Sequence, residues 1–201
     1  MRPRHAERGT RLSSRCWLLV AAVLAAPGLA HAADNFDPAT GYRISRYRAP
    51  VPEGVPGGAR VDSEAVKRLV SEKSALLIDV MPSNGAGLDT ASGRWRMLRQ
   101  HEHIPGSTWL PDVGAGALTP LMESYFRDEL ARLTQGDRAR ALVFYCQADC
   151  WMSWNATKRA SEYGYTTLYW FPEGTDGWRD WEGPLVPATP VPVAGAALDR
   201  G

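Results

Sequence analysis

The sequence predicts an α/β domain built on parallel strands, and three short apolar runs carry that prediction. Residues 75–80, 141–145 and 166–171 are almost wholly apolar and only five or six residues long. Runs of this kind suit strands covered on both faces. Stretches with helical spacing lie between them, and such alternation implies helical crossovers over a parallel sheet.

The elements follow in order. Asp62-Ser63-Glu64 gives an acidic opening for a helix over residues 65–70. Residues 75–80 form the first strand, broken by the single acid Asp79. Residues 108–110 suit another short strand. Leu121, Tyr125, Phe126, Leu130 and Leu133 then recur at helical spacing within 118–133. The strand 141–145 ends on Cys146, and a helix over 151–163 is stopped by Gly164. Residues 166–171 make the last strand. Residues 172–177 read as a turn-rich loop.

The two ends differ from this body. Arg2, Arg4, Arg8, Arg11 and Arg15 precede an apolar stretch, and Ala30-His31-Ala32 offers a small-x-small cleavage site. Residues 1–32 are therefore read as a secretory signal peptide, making the protein periplasmic. The apolar stretch is short for a membrane span, so no stable membrane anchor is expected. Five of the 23 basic and one of the 22 acidic residues lie in this leader, leaving 18 and 21, a formal net charge of −3. No basic stripe points to nucleic acid. Residues 33–60, dense in Pro and Gly, form an N-terminal arm, 61–187 the folded domain, and 188–201 a flexible tail.

The chemistry concentrates at Cys146 and Cys150. Apart from Cys16 in the leader they are the only cysteines, and in an oxidising compartment such a pair is either a small disulfide or a cycling thiol site. Cys146 sits where a strand ends and a helix begins, the edge at which ligands collect in α/β sheets. Loop N–H groups and the helix N-terminus favour a thiolate or anion there, whereas the Asp149 carboxylate opposes one. Cβ atoms four residues apart in a helix lie about 5–6 Å apart, too far for a disulfide. Closure therefore requires Cys146 on the loop and Cys150 near the first helical turn. Trp151 and Trp154 either pack in the core or form an apolar wall beside the thiols. His101 and His103 permit a Cys₂His₂ set arithmetically, with a soft Cu(I) site as the better variant, but the spacing assigns no metal.

The order Leu77-Ile78-Asp79-Val80, His103-Ile104-Pro105-Gly106-Ser107 and Leu142-Val143-Phe144-Tyr145-Cys146 resembles a rhodanese-like domain. Gly164-Tyr165 and Gly174-Thr175-Asp176-Gly177-Trp178 extend the likeness across residues 61–187. The resemblance implies a three-layer sandwich around a mainly parallel sheet. It puts Cys146 in the place of the sulfur-carrying nucleophile and Asp79 in that of the acid ending the first strand. Where that pattern has Gly and Arg three and five residues after the cysteine, this chain has Asp149 and Trp151, so the usual cationic grip on thiosulfate is missing.

Residues 144–156 and 169–178 more narrowly resemble the exported PQQ-dependent catabolism-associated proteins named for a CXXCW motif, here spaced C-x₃-C-W. That resemblance implies association with a periplasmic quinoprotein dehydrogenase system. Three functions follow as expectations. In the first, Cys146 attacks, Cys150 resolves the mixed disulfide or persulfide with a thiol–disulfide partner, and Asp149 tunes the pair. In the second, a binding module for PQQ, copper or a quinoprotein uses Trp151 and Trp154. In the third, a Cys146 persulfide transfers sulfur. The Gly-rich connection 81–100 is either a solvated insertion or a lid whose Arg94 and Arg96 meet an anionic ligand.

Overall fold

The computed structural model describes residues 35–83 and 87–194. The expected signal peptide, residues 1–32 with Cys16, lies outside them. Among the described residues, nine strands and four helices run as β1 (Ala59–Arg60), α1 (Ser63–Ser71), β2 (Leu76–Asp79), β3 (Leu88–Asp89), β4 (Arg94–Trp95), β5 (Glu102–His103), β6 (Thr108–Trp109), α2 (Pro120–Thr134), β7 (Leu142–Tyr145), α3 (Trp151–Glu162), β8 (Leu168–Phe171), α4 (Gly174–Asp180) and β9 (Val186–Pro187).

Five of these strands form one sheet in the order β1-β8-β7-β2-β6, with every pair parallel. This is the expected three-layer α/β sandwich. Two-residue alternation divides the apolar runs between the faces. Ile78, Leu142, Phe144 and Leu168 meet Phe126 and Leu130 of α2 and Ala156 and Ala160 of α3. Leu77, Val143, Tyr145 and Phe171 pack on the other face with Val66 of α1 and Trp178 of α4. The central strand β7 is buried throughout.

The helix ends follow their capping residues. Asp62 accepts from the Ala65 N–H before α1, and Thr119 accepts from Met122 before α2, whose first residue is a proline. One expectation fails. Residues 172–177 do not form only a loop, because α4 begins at Gly174. Its first turn carries Asp176 and its last Arg179, the arrangement that a helix dipole favours.

Two peripheral segments are packed more closely than their composition suggests. In the arm, Asn155 of α3 accepts from the Arg43 N–H at 3.0 Å and donates to the Arg43 carbonyl at 2.8 Å. The Arg43 guanidinium lies 5.1 Å from the Phe36 ring and 4.8 Å from that of Trp151. The tail, expected to be flexible from 188, is docked as far as Val193. Val191 donates to Trp109 and Val193 to Gly93, and Ala188 and Val193 are buried. Its carbonyls supply partners that Trp95 and Tyr125 need, since both donate to Val191. The insertion after β2 contains the antiparallel β3–β4 hairpin, and β5 pairs antiparallel with β9.

Candidate active site around a buried thiol pair

The strand-loop-helix passage from β7 to α3 brings both cysteines together. Cys146 follows β7, and Cys150 is the extended N-cap residue of α3. Both are free thiols, and both are buried. The loop closes because Asp149 adopts a left-handed backbone, φ 52°. Aspartate tolerates that region better than most residues with a Cβ. Its side chain is exposed, so Asp149 serves the loop through its backbone rather than by facing the thiols.

Backbone contacts grip this loop from two sides. Thr175 donates to the Cys146 carbonyl at 3.0 Å, and Gly174 pairs with Gln147 in a β-bridge. Opposite them, Ala49 donates to Asp149 at 3.0 Å and Trp151 donates to Tyr47 at 2.8 Å. The Arg48 guanidinium donates to the Ala148 carbonyl at 2.6 Å. The Ala148 N–H donates to the Asp176 carboxylate at 3.0 Å. The Asp176 carboxylate thus takes up one N–H of the loop between the two cysteines.

The two thiols are electrostatically unequal. Burial raises the Cys146 pKa well above its ordinary value, and the neighbouring Cys150 and Asp79 charges reinforce the shift. The Cys150 pKa is lowered, chiefly by the neighbouring Cys146 thiol, with help from the Met152 and Gln147 N–H groups and the Arg48 charge. Cys150, rather than Cys146, stands at the N-cap of α3, a position that favours a thiolate.

Met81 covers Cys146, with Sδ 3.4 Å from Sγ. Beyond Met81 open two cavities, of about 290 and 550 Å³, that share Met81, Gln100, His101 and Gln147 in their walls. Asp79, fully buried at the end of β2, receives the Met81 N–H on one oxygen at 2.9 Å and meets His101 Nε2 with the other at 2.5 Å. His103 Nδ1 stands 3.9 Å from the same oxygen and has no hydrogen-bond partner. Burial lowers the His103 pKa, against the pull of Asp79. The His101 ring rests on Trp109 at 4.3 Å, while the Trp109 indole donates to the Met81 carbonyl at 2.8 Å.

The remaining predicted residues stand elsewhere. Trp151 and Trp154 do not wall the thiols: they are buried with Val55 and Trp170 and clasp the arm through indole bonds to Pro50 and Gly54. Their rings meet at 61°, so they form no flat platform. Arg96 is exposed and pairs with Asp89 at 3.0 Å. Arg94 is also exposed and lines a third cavity, of about 470 Å³, that reaches His101 but not the cysteines. Among the described residues, no group of three or more His, Cys, Asp or Glu is arranged to hold a metal ion. None of their helices is long and apolar enough to cross a membrane. The sequence offers His101 only as a candidate metal ligand. Its pairing with Asp79, 22 positions earlier, depends on the fold and left no local signal.

Residues 62–180 match the rhodanese-like domain family. The chain belongs to that family. Solved structures of similar fold include a thiosulfate sulfurtransferase from Pseudomonas aeruginosa, 16% identical, covering 66% of this chain and 21% of that one with a TM-score of 0.45. The polysulfide-sulfur transferase homodimer from Wolinella succinogenes is 16% identical, covering 65% and 79% with a TM-score of 0.42. An uncharacterized protein from Saccharomyces cerevisiae is 25% identical, covering 61% and 92% with a TM-score of 0.37. No curated protein matches the chain. In this chain the second cysteine stands at the helix cap, and Asp149 and Trp151 hold the places where the resembled pattern has Gly and Arg.

Proposed function

We propose that this rhodanese-like domain carries out thiol–disulfide exchange through Cys146 and Cys150. The observation that carries the reading is the placement of two free thiols across one short loop, with the acidic member at a helix N-cap. Cys150 thiolate attacks a disulfide RSSR, forms Cys150–S–SR and releases RS⁻. Cys146, after losing its proton, attacks the Cys150 sulfur, closes the internal disulfide and expels the second RS⁻. Two electrons pass from the protein to RSSR, and the two protons end on the two released thiols. The reverse sequence reduces the protein.

The setting we assign is periplasmic, with a thiol–disulfide partner in PQQ-dependent alcohol catabolism. Support comes from the leader-like residues 1–32 and from the resemblance over 144–156 and 169–178. The Asp176 carboxylate on the Ala148 N–H disfavours thiosulfate as a sulfur donor. A binding platform for PQQ or Cu(I) at Trp151 and Trp154 is disfavoured by their packing against the arm.

The test uses single variants treated with glutathione disulfide. Cys146→Ser accumulates a glutathione adduct on Cys150, whereas wild type passes to the internal disulfide. Absence of both products sinks the proposal. A one-sulfur mass gain on Cys146 after thiosulfate treatment would favour sulfur transfer instead.

A further inference from the structure

We infer that Cys146, Cys150 and Met81 form a three-sulfur site for one soft monovalent metal ion, Cu(I). The inference uses the thiols of the exchange reading but not the exchange itself. Met81 Sδ touches Cys146 Sγ at 3.4 Å, and Cys150, at the cap of α3, interacts directly with the Cys146 thiol. Thiolate and thioether donors suit Cu(I), zinc or iron–sulfur clusters. Among the described residues no third His, Cys, Asp or Glu joins the two cysteines, so the four-ligand set of structural zinc and the thiolate set of a cluster are lacking. A thioether as the third donor leaves Cu(I).

The site is built around a fixed methionine. The Met81 N–H donates to Asp79 at 2.9 Å, and the Met81 carbonyl accepts from the Trp109 indole at 2.8 Å. Both cysteines are buried, whereas Met81 is half-buried and lines the cavities of about 290 and 550 Å³. An ion arriving from solvent therefore meets the thioether first and the thiols behind it. With metal–sulfur bonds near 2.3 Å, a trigonal site needs its sulfurs about 4.0 Å apart. Sδ must then move out from 3.4 Å, a shift of roughly 0.6 Å that the rotatable bonds of methionine allow.

Binding changes no oxidation state. Cys146–S–H, Cys150–S–H and Cu⁺ give two thiolates on one ion, and two protons leave to solvent. Two S–H bonds break and two copper–sulfur bonds form, while Met81 adds a third as a neutral donor. The complex keeps one negative charge. Asp79 opposes that charge, whereas the Arg48 guanidinium and the N-terminus of α3 favour it. An internal disulfide would remove both thiolates, so only the reduced pair takes the ion.

The test offers Cu(I), as its bicinchoninate complex, to reduced full-length protein in the absence of oxygen. The expected result is withdrawal of one ion per chain, with binding that tightens as pH rises. Cys146→Ser and Cys150→Ser should each abolish that withdrawal. X-ray absorption of the loaded wild type should show three sulfur neighbours, and the near-isosteric Met81→Leu only two. The wild-type spectrum decides the donor set even if a serine variant fails to fold. No withdrawal by wild type, nitrogen or oxygen neighbours in place of sulfur, an unchanged Met81→Leu spectrum, or withdrawal that survives either serine variant overturns the inference. Failure of the exchange reading looks different: wild type would form no disulfide with glutathione disulfide, yet would still take up Cu(I).

Discussion

Replacing Asn155 by alanine should loosen the arm that covers the thiol loop. Asn155 is fully buried, and its amide makes three bonds to backbone. It receives the Arg43 N–H at 3.0 Å and donates at 2.8 Å to the carbonyls of Arg43 and Gly114. Alanine leaves one donor and two acceptors without partners, each costing about 1–3 kcal/mol when buried. Taking the lower end, because the arm can admit water, gives about 3 kcal/mol in all. With a urea dependence near 2 kcal/mol per molar, the midpoint should fall by about 1.5 M. The arm also pairs Arg48 with Cys150 through a β-bridge. If the loss is local, the midpoint moves less and iodoacetamide labels Cys150 faster instead. Urea titration and labelling on the same sample separate the two. A midpoint shift below about 0.5 M together with unchanged labelling would refute the claim that Asn155 pins the arm.

Three further outcomes follow. Gly174→Ala should cost more than about 2 kcal/mol, since φ is +54° and the new Cβ would lie 2.5 Å from the Cys146 carbonyl oxygen; an unchanged thermal midpoint would contradict the tight loop packing. Met81→Ala should expose Cys146 and speed its alkylation several-fold, and an equal rate would show that Met81 is no cover. Burial lowers the His103 pKa in the folded protein, so the unfolded chain takes up the proton first as pH falls below about 6.5. Stability from this residue is therefore full above that pH and lost as pH drops through the folded value. His103→Gln should flatten the acid side of the urea midpoint profile, and an identical slope would remove His103 as the cause.

Much of the fold was legible because its decisive signals are local. The strands β2, β7 and β8 are apolar runs flanked by helical spacing, and Cys146 and Cys150 fall at the junction that a strand-loop-helix reading requires. The short helix α4 was missed because its two glycines read as turn residues; Gly174 is in the left-handed region beside the Cys146 backbone, while Asp176 and Arg179 still complete a helix. The fates of Trp151 and Trp154 were not legible either. Helical position put them near the thiols, but which face they turned depended on carbonyls of Pro50 and Gly54, about 100 positions away. The same holds for the Asp176 carboxylate on the Ala148 N–H and for the pairing of Asp79 with His101. Polar contacts between distant segments leave no periodicity in a sequence, whereas buried strands do.

The reduction potential of the Cys146–Cys150 pair tests the central claim most directly. Thiol exchange predicts a value in the oxidoreductase range, about −270 to −120 mV, helped by the stabilised Cys150 thiolate in the reduced form. A potential below about −300 mV would mark a permanent structural disulfide and contradict the account.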